Sequence, residues 1–85
     1  MRKVTFHGDA FADFTDWAAR DPKVFEKVKR LIIKTTRDPF GGIGKPEPLK
    51  HEFKGCWSRR ITDEHRLVYR VTDDSIIVMQ CRYHY

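Results

Sequence analysis

The 85-residue sequence predicts an α+β fold, with two N-terminal helices packed on one face of an antiparallel β-sheet. Three observations predict it. Apolar residues recur twice at helical spacing before Pro39. After Leu49 the pattern changes to short β-branched and aromatic runs, parted by Gly55, Thr62-Asp63-Glu64 and Asp73-Asp74. Connections that short join antiparallel neighbours, and helices grouped ahead of a run of strands mark α+β rather than α/β.

In order, Lys3 to His7 alternates and reads as a strand, which Gly8-Asp9 breaks, with Asp9 placed to cap the next helix. Phe11, Phe14, Trp17 and Ala18 then share one helical face, with Asp13, Asp16 and Arg20 away from it. Asp21-Pro22 starts a second helix, since Asp is a favoured N-cap and Pro at the first helical position forfeits no hydrogen bond. Its buried stripe is Val24, Val28, Leu31, Ile32 and Thr35, and Asp38-Pro39 ends it. Both stripes are read as core. Residues 40–49 contain Gly41, Gly42, Gly44, Pro46 and Pro48, which rule out regular structure. Within them Pro46-Glu47-Pro48 sets a carboxylate on a stiff, extended stem. Strands are then expected over Leu49–Lys54, Cys56–Ile61, His65–Val71 and from Ser75 to the last residue, Tyr85.

The length is that of a single domain, residues 1–85. Apolar content of 40% with 34% charged residues describes a folded globular chain. No run approaches the ~20 apolar residues of a membrane helix, and the start, Met1-Arg2-Lys3-Val4, lacks a signal-peptide apolar region. A cytoplasmic protein with no membrane partner is expected, with Cys56 and Cys81 as free, buried thiols. There is no CxxC or His-x-x-x-His spacing to suggest a metal site. The net charge of +5, from 17 Lys and Arg against 12 Asp and Glu, favours an anionic partner, nucleic acid first and an acidic protein second.

Side-chain parity distributes the strand residues between two faces. Leu67, Tyr69 and Val71 form an apolar set, which turns Arg66, Val68 and Arg70 the other way. In the last strand Ile77, Met79, Cys81 and Tyr83 form one set, and Ile76, Val78, Gln80, Arg82 and His84 the other. If the helices cover the first sets, Arg66, Arg82 and His84 share the open face. Ser58 and Arg60 separate from Trp57, Arg59 and Ile61, but both sets contain arginine, so parity leaves that strand's orientation open.

A glutamate on a stiff loop, several arginines and a histidine fit metal-free cleavage of RNA. A base takes the 2′-hydroxyl proton, cations hold the phosphate as charge builds, and an acid protonates the departing 5′-oxygen. Glutamate is ordinarily ionised at neutral pH and histidine can carry a proton there. The arginine fork matches phosphate oxygens, and Tyr83 and Tyr85 offer faces for an unstacked base. Each residue also has a plain structural use: Glu47 could pair with Lys45 or Lys50, the arginines with Asp63, Glu64, Asp73 or Asp74. His7 and His65 read as structural or solvated.

Gly44-Lys45-Pro46-Glu47-Pro48-Leu49-Lys50-His51, Trp57-Ser58-Arg59-Arg60-Ile61-Thr62, Glu64-His65-Arg66-Leu67-Val68-Tyr69 and Cys81-Arg82-Tyr83-His84-Tyr85 together closely resemble the YoeB toxins of bacterial toxin–antitoxin modules, within the RelE/ParE superfamily. The resemblance covers the whole length and is most specific over residues 44–85. It implies a microbial RNase-like fold and a ribosome-dependent endoribonuclease that cuts mRNA in the A site of the 70S ribosome, stopping translation. It implies Glu47 as general base, His84 as general acid, Arg66 as the phosphate and transition-state contact, and Tyr85 as a residue needed for activity. Lys50, Arg60 and Glu64 match supporting positions, and Arg82 stands beside them as a substrate contact. No metal or organic cofactor is implied. The implied partners are mRNA, the ribosome and its RNA, a YefM-type antitoxin, operator DNA through the antitoxin complex only, and a second copy in a homodimer. Two residues depart from the pattern: Ile43 stands where a basic residue is usual, and Cys56 precedes Trp57. Neither belongs to the acid–base set.

Two other readings are separable from this one. A ParE-like toxin would bind DNA gyrase and cut no RNA, leaving Glu47, Arg66, His84 and Tyr85 without a use. A non-catalytic basic RNA-binding module would show salt-sensitive binding without turnover.

Overall fold

Two aspartate–proline pairs divide the helical part of the chain as the sequence predicts. The computed structural model, which describes residues 1–83, has strand β1 (Lys3–Phe6), helix α1 (Ala10–Arg20) and helix α2 (Pro22–Arg37). Asp21 caps α2 with its side chain, accepting from the Val24 amide at 3.3 Å, and Pro22 occupies the first turn. Asp9 makes no such bond, because its backbone (φ −85°, ψ 5°) is not in the extended conformation from which a cap reaches inward. The chain continues with β2 (Glu47–Pro48), a 3₁₀ turn (His51–Phe53), β3 (Cys56–Arg60), β4 (Arg66–Val71) and β5 (Ser75–Gln80). The segment expected as a strand over 49–54 is therefore a short strand and a 3₁₀ turn. His51 adopts φ 58°, a left-handed conformation no strand contains. β5 ends at Gln80, earlier than expected.

The sheet order is β1-β5-β4-β3-β2. β2, β3, β4 and β5 pair antiparallel, as their short connections require. β1 is added parallel to β5, Lys3 opposite Ser75 and Phe6 opposite Val78, which makes the sheet mixed. A parallel pair needs a long connection, and both helices and three strands lie between these two.

The helices cover one face of the sheet. Val28, Leu31 and Ile32 of α2 and Ala10 and Trp17 of α1 are buried against Ile61, Leu67, Tyr69, Ile76, Val78 and Cys81. Full burial of an aliphatic side chain of this kind is worth ~1.5–3 kcal/mol. On α1 the inward stripe is Ala10, Phe14 and Trp17. Phe11 and Ala18 are exposed, which corrects the expected stripe by about one residue. A second, smaller cluster of Leu49, Cys56 and Val68, with Phe53 and Met79 against it, lies on the opposite face under the 49–53 segment. The two cysteines are free and buried, one in each cluster.

β5 corrects the parity reading. Ile76 and Val78, opposite Val71 and Tyr69, face the helices, while Met79 joins the second cluster. Every residue from Ile76 to Met79 is apolar, so alternation alone had no means of choosing a face. A bulge then inserts one residue, Val68 pairing with Gln80 and Tyr69 with Val78. It returns Cys81 to the helix side, where its thiol contacts the Ala10 carbonyl at 3.6 Å.

Candidate active site

Cross-strand register sets the geometry of the site. Glu47 pairs with Ser58, Ser58 with Val68, and Val68 with Gln80, so one row runs across the face away from the helices. One pleat repeat further along, Arg60 pairs with Arg66. Strands lie ~4.8 Å apart and same-face neighbours ~7 Å apart along a strand. Glu47 is thus two strands and one pleat repeat from Arg66, a span of ~12 Å between backbones, which long side chains can close around a phosphate. The register settles what parity left open for this strand: Glu47, Arg60 and Arg66 share a face, and Arg59 goes under the sheet.

Each is held differently. Arg66 donates from Nη1 to the carbonyls of Thr62, Asp63 (3.2 Å) and His65 (3.0 Å), so its guanidinium is braced against the β3–β4 turn by one edge. Arg60 lies 3.8 Å from the Asp63 carboxylate, an exposed contact of small energy. Glu64 is exposed in the same turn, its carboxylate 3.8 Å from His65 Nε2. Lys50 is exposed beside the 3₁₀ turn, where residues 47–53 line a shallow concavity next to Glu47. Arg82 does not join Arg66. Its guanidinium carbon sits 4.8 Å from the Tyr83 ring centroid and 5.9 Å from that of Trp17. Tyr83 does not continue the apolar set either, being exposed, with a left-handed φ of 62° that ends strand alternation. The expectations for His84 and Tyr85 fall outside the described residues.

The loop before Glu47 is fixed from below. Arg59 is fully buried and donates to the Ile43 carbonyl (2.7 Å), the Asp38 carbonyl (2.5 Å) and the Tyr69 hydroxyl (3.2 Å). Tyr69 in turn donates to the Pro39 carbonyl at 2.6 Å. Burial holds the Tyr69 phenol above its ordinary pKa, against the opposing pull of the Arg59 charge. Gly44, with φ 85°, rests so close to this group that a Cβ would lie 3.0 Å from both Arg59 Cβ and Leu31 Cδ2. The position filled by Ile43 serves the fold through its backbone carbonyl, and its side chain is exposed.

The other end is held by residues the sequence did not mark for the site. The Trp17 indole N–H donates to the Cys81 carbonyl at 2.9 Å, and His65 Nδ1 accepts the Tyr83 amide at 2.7 Å. The Arg66 amide donates to the Tyr83 carbonyl at 3.1 Å. A buried tryptophan needs a partner for its N–H, and that was the one available signal for Trp17.

The model of a YoeB-like toxin of bacterial type II toxin–antitoxin systems matches residues 6–85. The chain is 56% identical to toxin YoeB of Mycobacterium bovis over 85 residues, covering 100% of both chains. Among solved structures, a YoeB/ParE toxin from Agrobacterium tumefaciens superposes with a TM-score of 0.93 at 45% identity, covering 98% of this chain and 99% of that one. YoeB of Staphylococcus aureus, in a heterotetrameric YoeB–YefM toxin–antitoxin complex, gives 0.89 at 42% identity, covering 100% of this chain and 99% of that one. The same toxin solved as a dimer gives 0.90 at 42% identity, with 99% and 98% covered. With a fold, a length and a sequence shared throughout, the chain belongs to the family of YoeB-like toxins of bacterial type II toxin–antitoxin systems.

Proposed function

We propose that the chain is a ribosome-dependent endoribonuclease of the cytoplasm that cuts mRNA in the A site of the 70S ribosome and thereby stops translation. The observation that carries this reading is the convergence of Glu47, Arg60 and Arg66 on one sheet face, with segment 81–83 tied to Arg66 at its edge. Glu47 takes the 2′-hydroxyl proton, and the 2′-oxygen attacks the adjacent phosphorus. Arg66, braced by its three carbonyl contacts, stabilises the charge that accumulates on the phosphoryl oxygens, and preorganisation of this kind is often the largest catalytic contribution. His84 gives its proton to the 5′-oxygen as the P–O bond breaks. The products are a 2′,3′-cyclic phosphate and a 5′-hydroxyl. Arg60 and Lys50 supply positive charge along the RNA path, Glu64 supports the turn behind Arg66, and Tyr85 contacts the substrate. The route requires no metal or organic cofactor.

The proposed protein partner is a YefM-type antitoxin, supported by the complex that the S. aureus relative forms. The net charge of +5 suits an acidic antitoxin as well as RNA. In that complex the chain would take part in repressing its operator, touching DNA only through the antitoxin. A homodimer of the free toxin is supported by the S. aureus dimer.

The test is a purified translation system programmed with a defined mRNA. Cleavage at the ribosome-bound codon with 2′,3′-cyclic phosphate ends, lost without ribosomes, is the expected result. Intact mRNA together with inhibited gyrase would replace this reading with a gyrase poison. Salt-sensitive RNA binding without cut ends would reduce it to a binding module.

A further inference from the structure

The segment after β5 does not simply trail from the sheet. Bonds from three other elements hold its backbone, and the Gln80 side chain adds a weaker one to the Tyr83 carbonyl at 3.4 Å. Trp17 of α1 binds the Cys81 carbonyl, His65 of the β3–β4 turn binds the Tyr83 amide, and the Arg66 amide of β4 binds the Tyr83 carbonyl. The imidazole also packs edge-on against Trp17, with ring centroids 4.8 Å apart at 79°, and against Tyr83 at 5.4 Å. Its own backbone is fixed in turn. The His65 carbonyl accepts from Ile61 at 3.0 Å and Thr62 at 3.2 Å, and its amide donates to the Thr62 hydroxyl at 3.1 Å. The His65 side chain is 12% exposed. To accept at Nδ1 the ring must be neutral with its proton on Nε2, which faces Glu64.

Tyr83 holds a left-handed φ of 62°. A non-glycine residue holds that conformation only when its surroundings impose it. The bonds to both sides of the Tyr83 residue supply that imposition: the His65 ring accepts its amide at 2.7 Å, and the Arg66 amide at 3.1 Å and, more weakly, the Gln80 side chain at 3.4 Å donate to its carbonyl.

We propose that His65 is a positioning residue: by binding the Tyr83 amide it holds the backbone of residues 81–83, and cleavage depends on that hold. The inference rests on the ribonuclease reading for its catalytic consequence, and on the bonds alone for the anchor. Two substitutions divide the functions of the imidazole. His65→Phe keeps the ring between Trp17 and Tyr83 and removes the acceptor. His65→Asn removes the ring and keeps an acceptor oxygen near the place of Nδ1.

The experiment measures single-turnover cleavage on programmed ribosomes, the ribosome concentration giving half-maximal rate, thermal melting, and hydrogen exchange at the Tyr83 amide of the free protein. For His65→Phe the expected result is a rate lowered ~10–100-fold, the scale of a small misplacement of a reacting group. The half-maximal concentration should change by less than about threefold and exchange at Tyr83 should accelerate ~tenfold or more, since a local anchor is lost without loss of the ribosome-binding surface. His65→Asn should recover a substantial part of both losses. Wild-type rate and unchanged exchange in His65→Phe would overturn the proposal. So would a rate loss shared equally by both variants and tracking their melting temperatures, or a failure of His65→Asn to restore exchange should His65→Phe not fold. If the wild-type protein cuts no RNA, the ribonuclease reading fails and the catalytic role with it, while exchange at Tyr83 still decides the anchor.

Discussion

The two ends of the proposed site are held in opposite ways. The Glu47 end is fixed from inside the protein: Arg59 and Tyr69, both fully buried, gather the carbonyls of Asp38, Pro39 and Ile43, and β2 adds the loop to the sheet. The other end runs from Cys81, buried with Trp17 in the core, out to the margin, where the His65–Tyr83 bond is exposed and Tyr83 itself is 53% exposed. A group held by the core shares the stability of the whole fold. One held by a few marginal bonds can lose its geometry while the fold persists. Glu47 thus sits on the part held from the core, and Tyr83 on the part held by fewer, more exposed bonds.

The comparison breaks or sharpens under substitution. Glu47→Gln should lower single-turnover cleavage ~10²–10⁴-fold, the range of a general base, with the melting temperature unchanged because the side chain is exposed. A cleavage rate within a few-fold of wild type would remove Glu47 from the chemistry. Arg59→Leu should lower stability by ~2–4 kcal/mol in urea titration, since it leaves the buried carbonyls and the Tyr69 hydroxyl short of donors. A variant of full stability and poor activity would show that the two ends are not held differently after all.

Trp17→Phe keeps most of the packing and deletes the bond to the Cys81 carbonyl. About 1–2 kcal/mol of stability should be lost, with cleavage falling further than that loss explains. Equal declines would place Trp17 with the core rather than with the marginal end. The smallest effect is expected from pH. Burial raises the Cys81 thiol from 9.0 to about 12, with a lesser push from Asp13, and raises the Tyr69 phenol above 10.0. The unfolded chain ionises first, so this contribution is full below pH 9 and declines as pH rises towards the folded value. The urea midpoint should fall between pH 8 and pH 10.5, and Cys81→Ala should reduce the fall. An identical alkaline decline in that variant would show that Cys81 does not contribute to it.

Much of this was readable from residues alone. Asp21-Pro22 and Asp38-Pro39 bounded α2 because proline and capping chemistry act locally. Parity placed Arg66 opposite the Leu67 and Tyr69 face because Arg66 and Arg70 alternate in β4 with Leu67, Tyr69 and Val71. The family resemblance over residues 44–85 was legible because long-range geometry was already encoded in its motifs. By contrast, Asp9 reads as a cap and does not act as one, and Phe11 reads as core and is exposed. Both were decided by how α1 lies on the sheet.

The sequence by itself determined the two helices, the antiparallel run of the later strands, the turns between them and the face on which Arg66 lies. Each follows from interactions among residues near in the chain or from period-two alternation. Tertiary structure alone decided four things: the parallel pairing of β1 with β5, the bulge beyond Val78, the burial of Arg59 beneath the Glu47 loop, and the hold of Trp17 and His65 on residues 81–83. Each of these joins residues far apart in sequence. Which donor meets which carbonyl depends on register and packing, and no local pattern of residues records that.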